Sequence, residues 1–212
     1  MADEPRPPRA SAARLSLYLR CLEGWRRDGR RTASSRDLAA ALGLGDAQVR
    51  KDLAHVGRLG RRGVGYRVDD LAAGIRSVLG IDREWPAVLV GAGNLARALL
   101  RYRGFPDRGF RLVGLFDADR RKVGQRVEGL EVLPMTDLAR RVRSLGAELG
   151  IVAVPSESAD EVAAALTAAG VRGVLNFAPA VLRLPAGVAV VNVDLTIQLE
   201  QLAFQVQAGR DG

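Results

Sequence analysis

One cysteine, one histidine and two methionines stand among 212 residues, and aromatic side chains make up only 5%. A lone Cys21 excludes an internal disulfide, and a lone His55 excludes the usual clustered metal sites. Any redox role must therefore be borrowed from a cofactor. No apolar run approaches the roughly 18 residues that a membrane-spanning helix requires. The start, Met1 to Ala13, is rich in proline and arginine and lacks the hydrophobic stretch of a signal peptide. The expectation is a soluble, cytoplasmic protein with neither membrane nor metal as a partner. Lysine is scarce too: of 32 basic residues only Lys51 and Lys122 are lysine.

What is present is positive charge, unevenly spread. Residues 1 to 84 carry 17 Lys/Arg against 11 Asp/Glu, and residues 85 to 212 carry 15 against 13. A basic excess concentrated in one segment points to a polyanionic partner, nucleic acid or an anionic membrane surface. The length accommodates one large or two small domains. Residues 1–13, with Pro5, Pro7 and Pro8 among charges, read as a disordered arm. From Arg14, Leu15, Leu19, Leu22 and Trp25 recur at helical spacing. Ser34 and Ser35 ahead of Asp37 and Leu38 cap a short second helix that ends at Gly43. Asp46 opens a third helix whose stripe is Val49, Leu53 and Val56, leaving Gln48, Arg50 and Lys51 pointing elsewhere. Gly57, Gly60, Gly63 and Gly65 alternate with Arg58, Arg61, Arg62 and Arg67, a pattern suited to a β-ribbon, or wing, around Gly63. A fourth helix through Leu71, Ile75, Val78 and Leu79 stops at Gly80, before a linker through Trp85 and Pro86.

From Ala87 short apolar runs alternate with helical periods, the texture of a parallel sheet covered by helices. The runs are 87–90, 112–116, 132–133, 151–154, 174–177 and 188–193, with helices near 94–102, 136–145 and 157–169 between them. After Asp194 a last helix carries Leu195, Leu199, Leu202, Phe204 and Val206, an apolar face with little of its own domain left to cover it. The fold class is α/β, divided as 14–84, a helix-turn-helix domain with a wing; 85–193, a doubly wound sheet; and 194–212, a terminal helix.

The sharpest motif is Gly91-Ala92-Gly93-Asn94-Leu95-Ala96, the G-x-G-x-x-A form between a strand and a helix, where a pyrophosphate meets the helix N-terminus. Asp117 lies at the end of the next strand, 26 positions after Gly91, where a carboxylate accepts from a ribose 2′-hydroxyl and repels a 2′-phosphate. The competing reading is a strand-end aspartate that caps the next turn, and Arg120, Arg121 and Lys122 nearby suit a phosphate. Val154 and Pro155, and Asn176, Phe177, Ala178 and Pro179, end two further strands where they would line the same crevice. Phe177 as core and Pro179 as a strand terminator is the plainer alternative. In the first domain, Gln48, Arg50 and Lys51 are spaced as a major-groove helix requires, and Ser34, Ser35, Arg58, Arg61 and Arg62 are placed to reach phosphates. A solvated basic face is the alternative there. His55 reads as a surface or packing residue and Cys21 as a small residue of the core.

Taken together, RLSLYLRCL from Arg14, VRKDL from Val49, GRLGRRGVGYRV from Gly57, VGAGNLA from Val90, FDADRRKVG from Phe116, VAVP from Val152, GVLNFAP from Gly173 and NVDL from Asn192 resemble the Rex family of redox-sensing transcriptional repressors. The resemblance runs from Arg14 to about Phe204. It implies a winged-helix domain that binds a palindromic operator in double-stranded DNA, a Rossmann domain that binds NADH and NAD+, and a homodimer. It implies further that NADH releases the DNA, that the C-terminal helix is swapped onto the partner, and that Arg20, Tyr102 and Asp194 form a polar network that rearranges with cofactor state. Two positions depart from the family pattern. His55 and Val56 stand where an aromatic pair is usual, and Leu195 stands where some relatives have an aromatic residue. An NAD-dependent dehydrogenase is the runner-up, weakened because fewer than 20 residues follow the last strand and the only histidine lies in the other half. A DNA-binding scaffold holding another adenosine ligand, such as coenzyme A, is a third reading.

Overall fold

The computed structural model describes residues 7–57, 59–61 and 64–209. The chain divides into two compact units, Met1–Arg83 and Glu84–Gly212. In the first, α1 (Arg9–Arg27) buries Leu15, Tyr18, Leu19 and Leu22, the helical stripe expected from their spacing. The arm expected over residues 1–13 is corrected at its end: Arg9–Ala13 are helical, because Pro8 starts the helix in an extended conformation and Ser11 is buried against the unit. Residues 1–6 lie outside the described set. Strand β1 (Thr32–Ala33) leads to α2 (Ser35–Leu42), opened by a capping box in which Ser34 and Asp37 each take the other's backbone N–H. After Gly43, α3 (Asp46–Leu53) forms with Gly45 rather than Asp46 at the cap, followed by a single 3₁₀ turn, Ala54–Val56. Strand β2 (Tyr66–Arg67) pairs antiparallel with β1, and α4 (Val68–Leu79) closes the unit. The wing thus rests on a strand between α1 and α2 that hydrophobic period did not reveal. Gly65 is required there: its φ is +84°, and a Cβ would sit 2.5 Å from the Ala33 carbonyl oxygen. Arg58, Arg62 and Gly63 fall outside the described residues.

The second unit is a seven-stranded sheet with order β5-β6-β4-β3-β7-β8-β9. Its strands are β3 (Trp85–Val90), β4 (Phe110–Asp117), β5 (Arg126–Val127), β6 (Leu130–Pro134), β7 (Leu149–Val152), β8 (Gly173–Asn176) and β9 (Ala189–Asn192). All neighbours run parallel except the β5-β6 hairpin, which the sequence pattern did not suggest. Helices α5 (Asn94–Arg101), α6 (Leu138–Ser144) and α7 (Ser156–Ala168) connect them. Alternation along each strand sends Val88, Val90 and Val152 to the face packed by α6 and α7, and Leu89, Leu115 and Ile151 to the face of α5. Chain order reverses between β3 and β7, so the ligand crevice of such a sheet lies outside their carboxyl ends. Helix α8 (Leu195–Ala208) ends the chain with no buried residue.

One charged residue sits inside the first unit's core. Asp52, on α3, has no exposed surface. Its carboxylate accepts from Arg14 Nε at 2.6 Å and Nη2 at 2.8 Å, from the Tyr18 hydroxyl at 2.8 Å and from Gln48 Nε2 at 3.1 Å. A buried carboxylate without donors would destabilise the fold by several kcal/mol, so this set fixes α3 against α1. Burial raises the Asp52 pKa, but the hydrogen bonds from Arg14, Tyr18 and Ser11 outweigh it and hold the carboxyl well below the usual range. Burial and the bond to Asp52 push the Tyr18 hydroxyl up to about 12. A depressed carboxylate contributes stability above its unfolded value of about 4, lost as pH falls toward the folded value. We predict that Asp52→Asn lowers the stability of the first unit at pH 7 by about 3 kcal/mol. Its stability should also fall less steeply than the parent's below pH 4. Trp25 fluorescence during urea unfolding in a Trp85→Phe background measures both, and an unchanged acid slope would overturn the assignment.

Candidate functional site

The glycine loop occupies the turn from β3 to α5. Gly91 has φ +103°, and a Cβ there would meet the Ala153 carbonyl oxygen at 2.2 Å, so the chain passes this point only as glycine. Its N–H continues the sheet to the Phe116 carbonyl at 2.8 Å. Gly93, the α5 cap, differs: φ is −93°, and a Cβ added to it would meet no atom of the protein within 4 Å. Packing does not demand glycine at that position; the clearance opens outward over the first turn of α5, whose N–H groups have no partner within the helix. Asn94 and Leu95 are exposed there, while Ala96 is fully buried against the sheet. This geometry fits an approaching pyrophosphate, with Ala96 letting helix and strand pack closely.

Asp117 ends β4 and is 8% exposed. Its Oδ2 accepts from the Ala92 N–H at 2.7 Å and from Lys122 Nζ at 2.9 Å, and its Oδ1 accepts from the Asp119 N–H at 2.8 Å. Burial pushes the carboxyl up, yet Lys122 and the N–H groups of Asp119 and Ala92 prevail and keep it below its ordinary value. The geometry bears out the turn-cap reading of Asp117, which clamps the glycine loop, and leaves acceptor capacity on Oδ1 that a ribose acid would need. Lys122 is engaged by Asp117 and Arg121 by Asp119, and both Arg120 and Arg121 are exposed.

Across the crevice, Val154 and Pro155 lead from β7 into α7, with Pro155 exposed as its cap. Phe177 is half-buried and packs with the Leu89 cluster, and its N–H extends the ladder to the Val152 carbonyl at 2.9 Å. Ala178 is buried and Pro179 exposed. Asn176, expected to line the crevice, turns its side chain inward. Its side chain is fully buried and committed within the protein, accepting from the Ala178 N–H and donating to the carbonyls of Ala178 and Ala180 and to Asn192. Asn176 shapes the crevice wall and does not reach into it.

On the first unit, Arg50 and Lys51 are exposed on α3, opposite the buried face of Val49, Asp52 and Leu53. Arg50 is paired one turn back with Asp46. Gln48 is turned toward Asp52, and Ser34 is used by its cap. Arg61 is exposed, bridged through its backbone to Gly65, while Arg58 and Arg62 lie outside the described residues. Arg20 is exposed on α1 of the first unit. In the second unit, Tyr102 ends α5 with its ring edge-on to Phe105 at 5.1 Å, and Asp194 caps α8 by accepting from the N–H groups of Thr196 and Ile197. The sequence reading missed Asp52. Its place three residues after Val49 and one before Leu53 was the available signal, since that stripe faces the core.

Two glycine substitutions separate packing from ligand approach. Gly91→Ala should destabilise the second unit by more than 2 kcal/mol through strain and the Ala153 collision. Gly93→Ala should change stability by less than about 1 kcal/mol yet weaken NADH binding at least tenfold. Thermal unfolding and fluorescence titration measure these, and equal behaviour of the two variants would refute the distinction.

Comparison with known proteins follows the same division. Residues 8–54 match the family described as "Putative DNA-binding protein N-terminus", and residues 82–180 match the "CoA binding domain". The chain is 50% identical to the redox-sensing transcriptional repressor Rex of Carboxydothermus hydrogenoformans, covering 94% of this chain and 96% of that one. It is 48% identical to the Rex of Desulforamulus reducens, covering 94% and 95%. Among solved structures it resembles RSP, a Rex-family repressor, in complex with β-NAD+ and operator DNA, with TM-score 0.91, 30% identity and coverage of 96% and 94%. RSP in complex with β-NADH gives TM-score 0.86 and 29% identity, with 97% of each chain covered. At half-identity over nearly its whole length, this chain belongs to the Rex family of redox-sensing transcriptional repressors.

Proposed function

We propose that this protein is a cytoplasmic transcriptional repressor whose grip on operator DNA is set by the balance of NADH and NAD+. One observation carries the reading: a single chain bears an open glycine loop at the switch point of a parallel sheet and a short helix-turn-helix whose third helix presents Arg50 and Lys51 outward. Gly91, Gly93 and the first turn of α5 would hold the pyrophosphate, Asp117 the adenosine ribose, and Val154, Pro155 and Phe177 the apolar side of the nicotinamide. The bound cofactor supplies a ring that is charged and flat when oxidised, neutral and puckered when reduced. Arg50 and Lys51 would enter the major groove, with Arg58, Arg61 and Arg62 at phosphates. No base, acid or substrate domain is assigned, because the chain acts as a regulator rather than an enzyme.

The working unit is a homodimer in this reading. Leu195, Leu199, Leu202 and Phe204 of α8 are each more than half exposed, as is Val191 on the edge strand β9. Apolar surface on this scale calls for a partner, and a second copy with α8 exchanged supplies one. Arg20, Tyr102 and Asp194 would then take part in the response to cofactor state.

Reciprocity requires that NADH weaken operator binding by the factor with which operator weakens NADH binding, typically 5- to 150-fold. A mobility-shift titration of a palindromic duplex, with NAD+, NADH and coenzyme A added separately, tests this directly. Release by NADH alone is expected; release by coenzyme A alone would favour the scaffold reading. Lys51→Ala should lower operator affinity at least tenfold and leave NADH affinity unchanged, whereas Asp117→Ala should weaken NADH binding and spare the cofactor-free complex with DNA. Operator affinity should also fall steeply with salt, since each phosphate contact releases counterions.

A further inference from the structure

Asn176 is the one fully buried amide side chain among the described residues. Its oxygen accepts from the Ala178 N–H at 2.9 Å, which fixes the orientation of the amide, because reversing it would set oxygen against three acceptors. Its nitrogen faces the Ala178 carbonyl at 3.1 Å, the Ala180 carbonyl at 2.9 Å and Asn192 Oδ1 at 3.0 Å. An amide nitrogen carries two hydrogens. Three oxygens therefore compete for two donors on a side chain that is itself fully buried.

Two of those oxygens belong to the loop that follows β8 beside the crevice. The third belongs to the last residue of β9. From Asn192 the chain needs two residues to reach Asp194, whose carboxylate caps α8, and the intervening Val193 donates its N–H to the Asn176 carbonyl at 2.8 Å. A displacement of the Ala178 or Ala180 carbonyl alters what remains for Asn192, and Asn192 is held rigidly to the start of the exposed helix.

We infer that the Asn176–Asn192 hydrogen bond is the link by which the crevice loop, residues 177–180, sets the position of α8. Asn176 and Asn192 are positioning residues: they act by transmitting the loop's arrangement. The inference rests on the proposed NADH-dependent release of operator.

The test uses the full-length protein and compares the parent with Asn192→Ala and Asn192→Asp. Asn192 is exposed, so its replacement leaves the core and both loop bonds of Asn176 in place. For each protein, operator affinity is measured with and without saturating NADH, and NADH affinity with and without operator. The expected result is that Asn192→Ala binds operator alone and NADH alone within twofold of the parent, while the coupling factor between them falls at least threefold from either direction. Asn192→Asp, which keeps an acceptor at the same place, should retain the parent's coupling better than the alanine variant. Parent-like coupling in Asn192→Ala overturns the link and leaves the proposed function standing. A parent whose operator affinity ignores NADH overturns both. Equal loss of coupling in both variants would mean that the acceptor is not what matters, and overturns the link as well.

Discussion

The carboxylate of Asp117 holds the phosphate-facing loop to the sheet, and the geometry of the whole carboxyl edge follows from that bond. Ala92 sits in the turn forced on the chain by the close passage of Gly91 over Ala153, and its N–H points inward, away from any ligand. Buried without an acceptor, that N–H would disfavour the turn by the desolvation cost of an orphan donor, roughly 1–3 kcal/mol. Asp117 accepts it, and Lys122 keeps the carboxylate ionised. The residue proposed to face the adenosine ribose is a structural clamp, so under that proposal cofactor preference and loop geometry vary together at this position.

The same arrangement recurs at two other element ends. Asp52 docks α3 on α1, and Asn176 ties the end of β8 to the following loop and to β9. In each case a buried polar side chain meets more partners than one bond requires, and its satisfaction specifies a single geometry where apolar packing would tolerate several. Each also lies within a few residues of a surface assigned to DNA or cofactor. Rigidity is thus concentrated next to the parts that have to be aimed.

What the sequence disclosed and what it hid divide along physical lines. The strand–glycine–helix transition at residues 85–96 was plain because Gly91 and Ala96 answer separate steric demands and Gly93 completes the spacing, and the buried strands were plain as apolar runs. Boundaries were extended by one or two residues wherever strand pairing outran hydrophobicity, as at Trp85 and Phe110. Strand β1, the partner of the wing, and the β5 hairpin were invisible, since strands of two residues have no period to detect. Arg9–Ala13 looked unstructured by composition, yet it continues a helix that tertiary contact stabilises. The roles of Asp52 and Asn176 lie in contacts 38 and 16 residues away in the chain, which spacing along one element cannot encode.

Helix α8 has a further implication. Its apolar residues are exposed among the described residues, so in the proposed homodimer α8 is covered only on association, and by mass action the fraction of competent molecules depends on how many copies a cell holds. A repressor built in this way carries an abundance threshold alongside its metabolic one. Newly made protein at low copy number would stay silent whatever the nicotinamide pool, and control would switch on only once synthesis had outpaced dissociation.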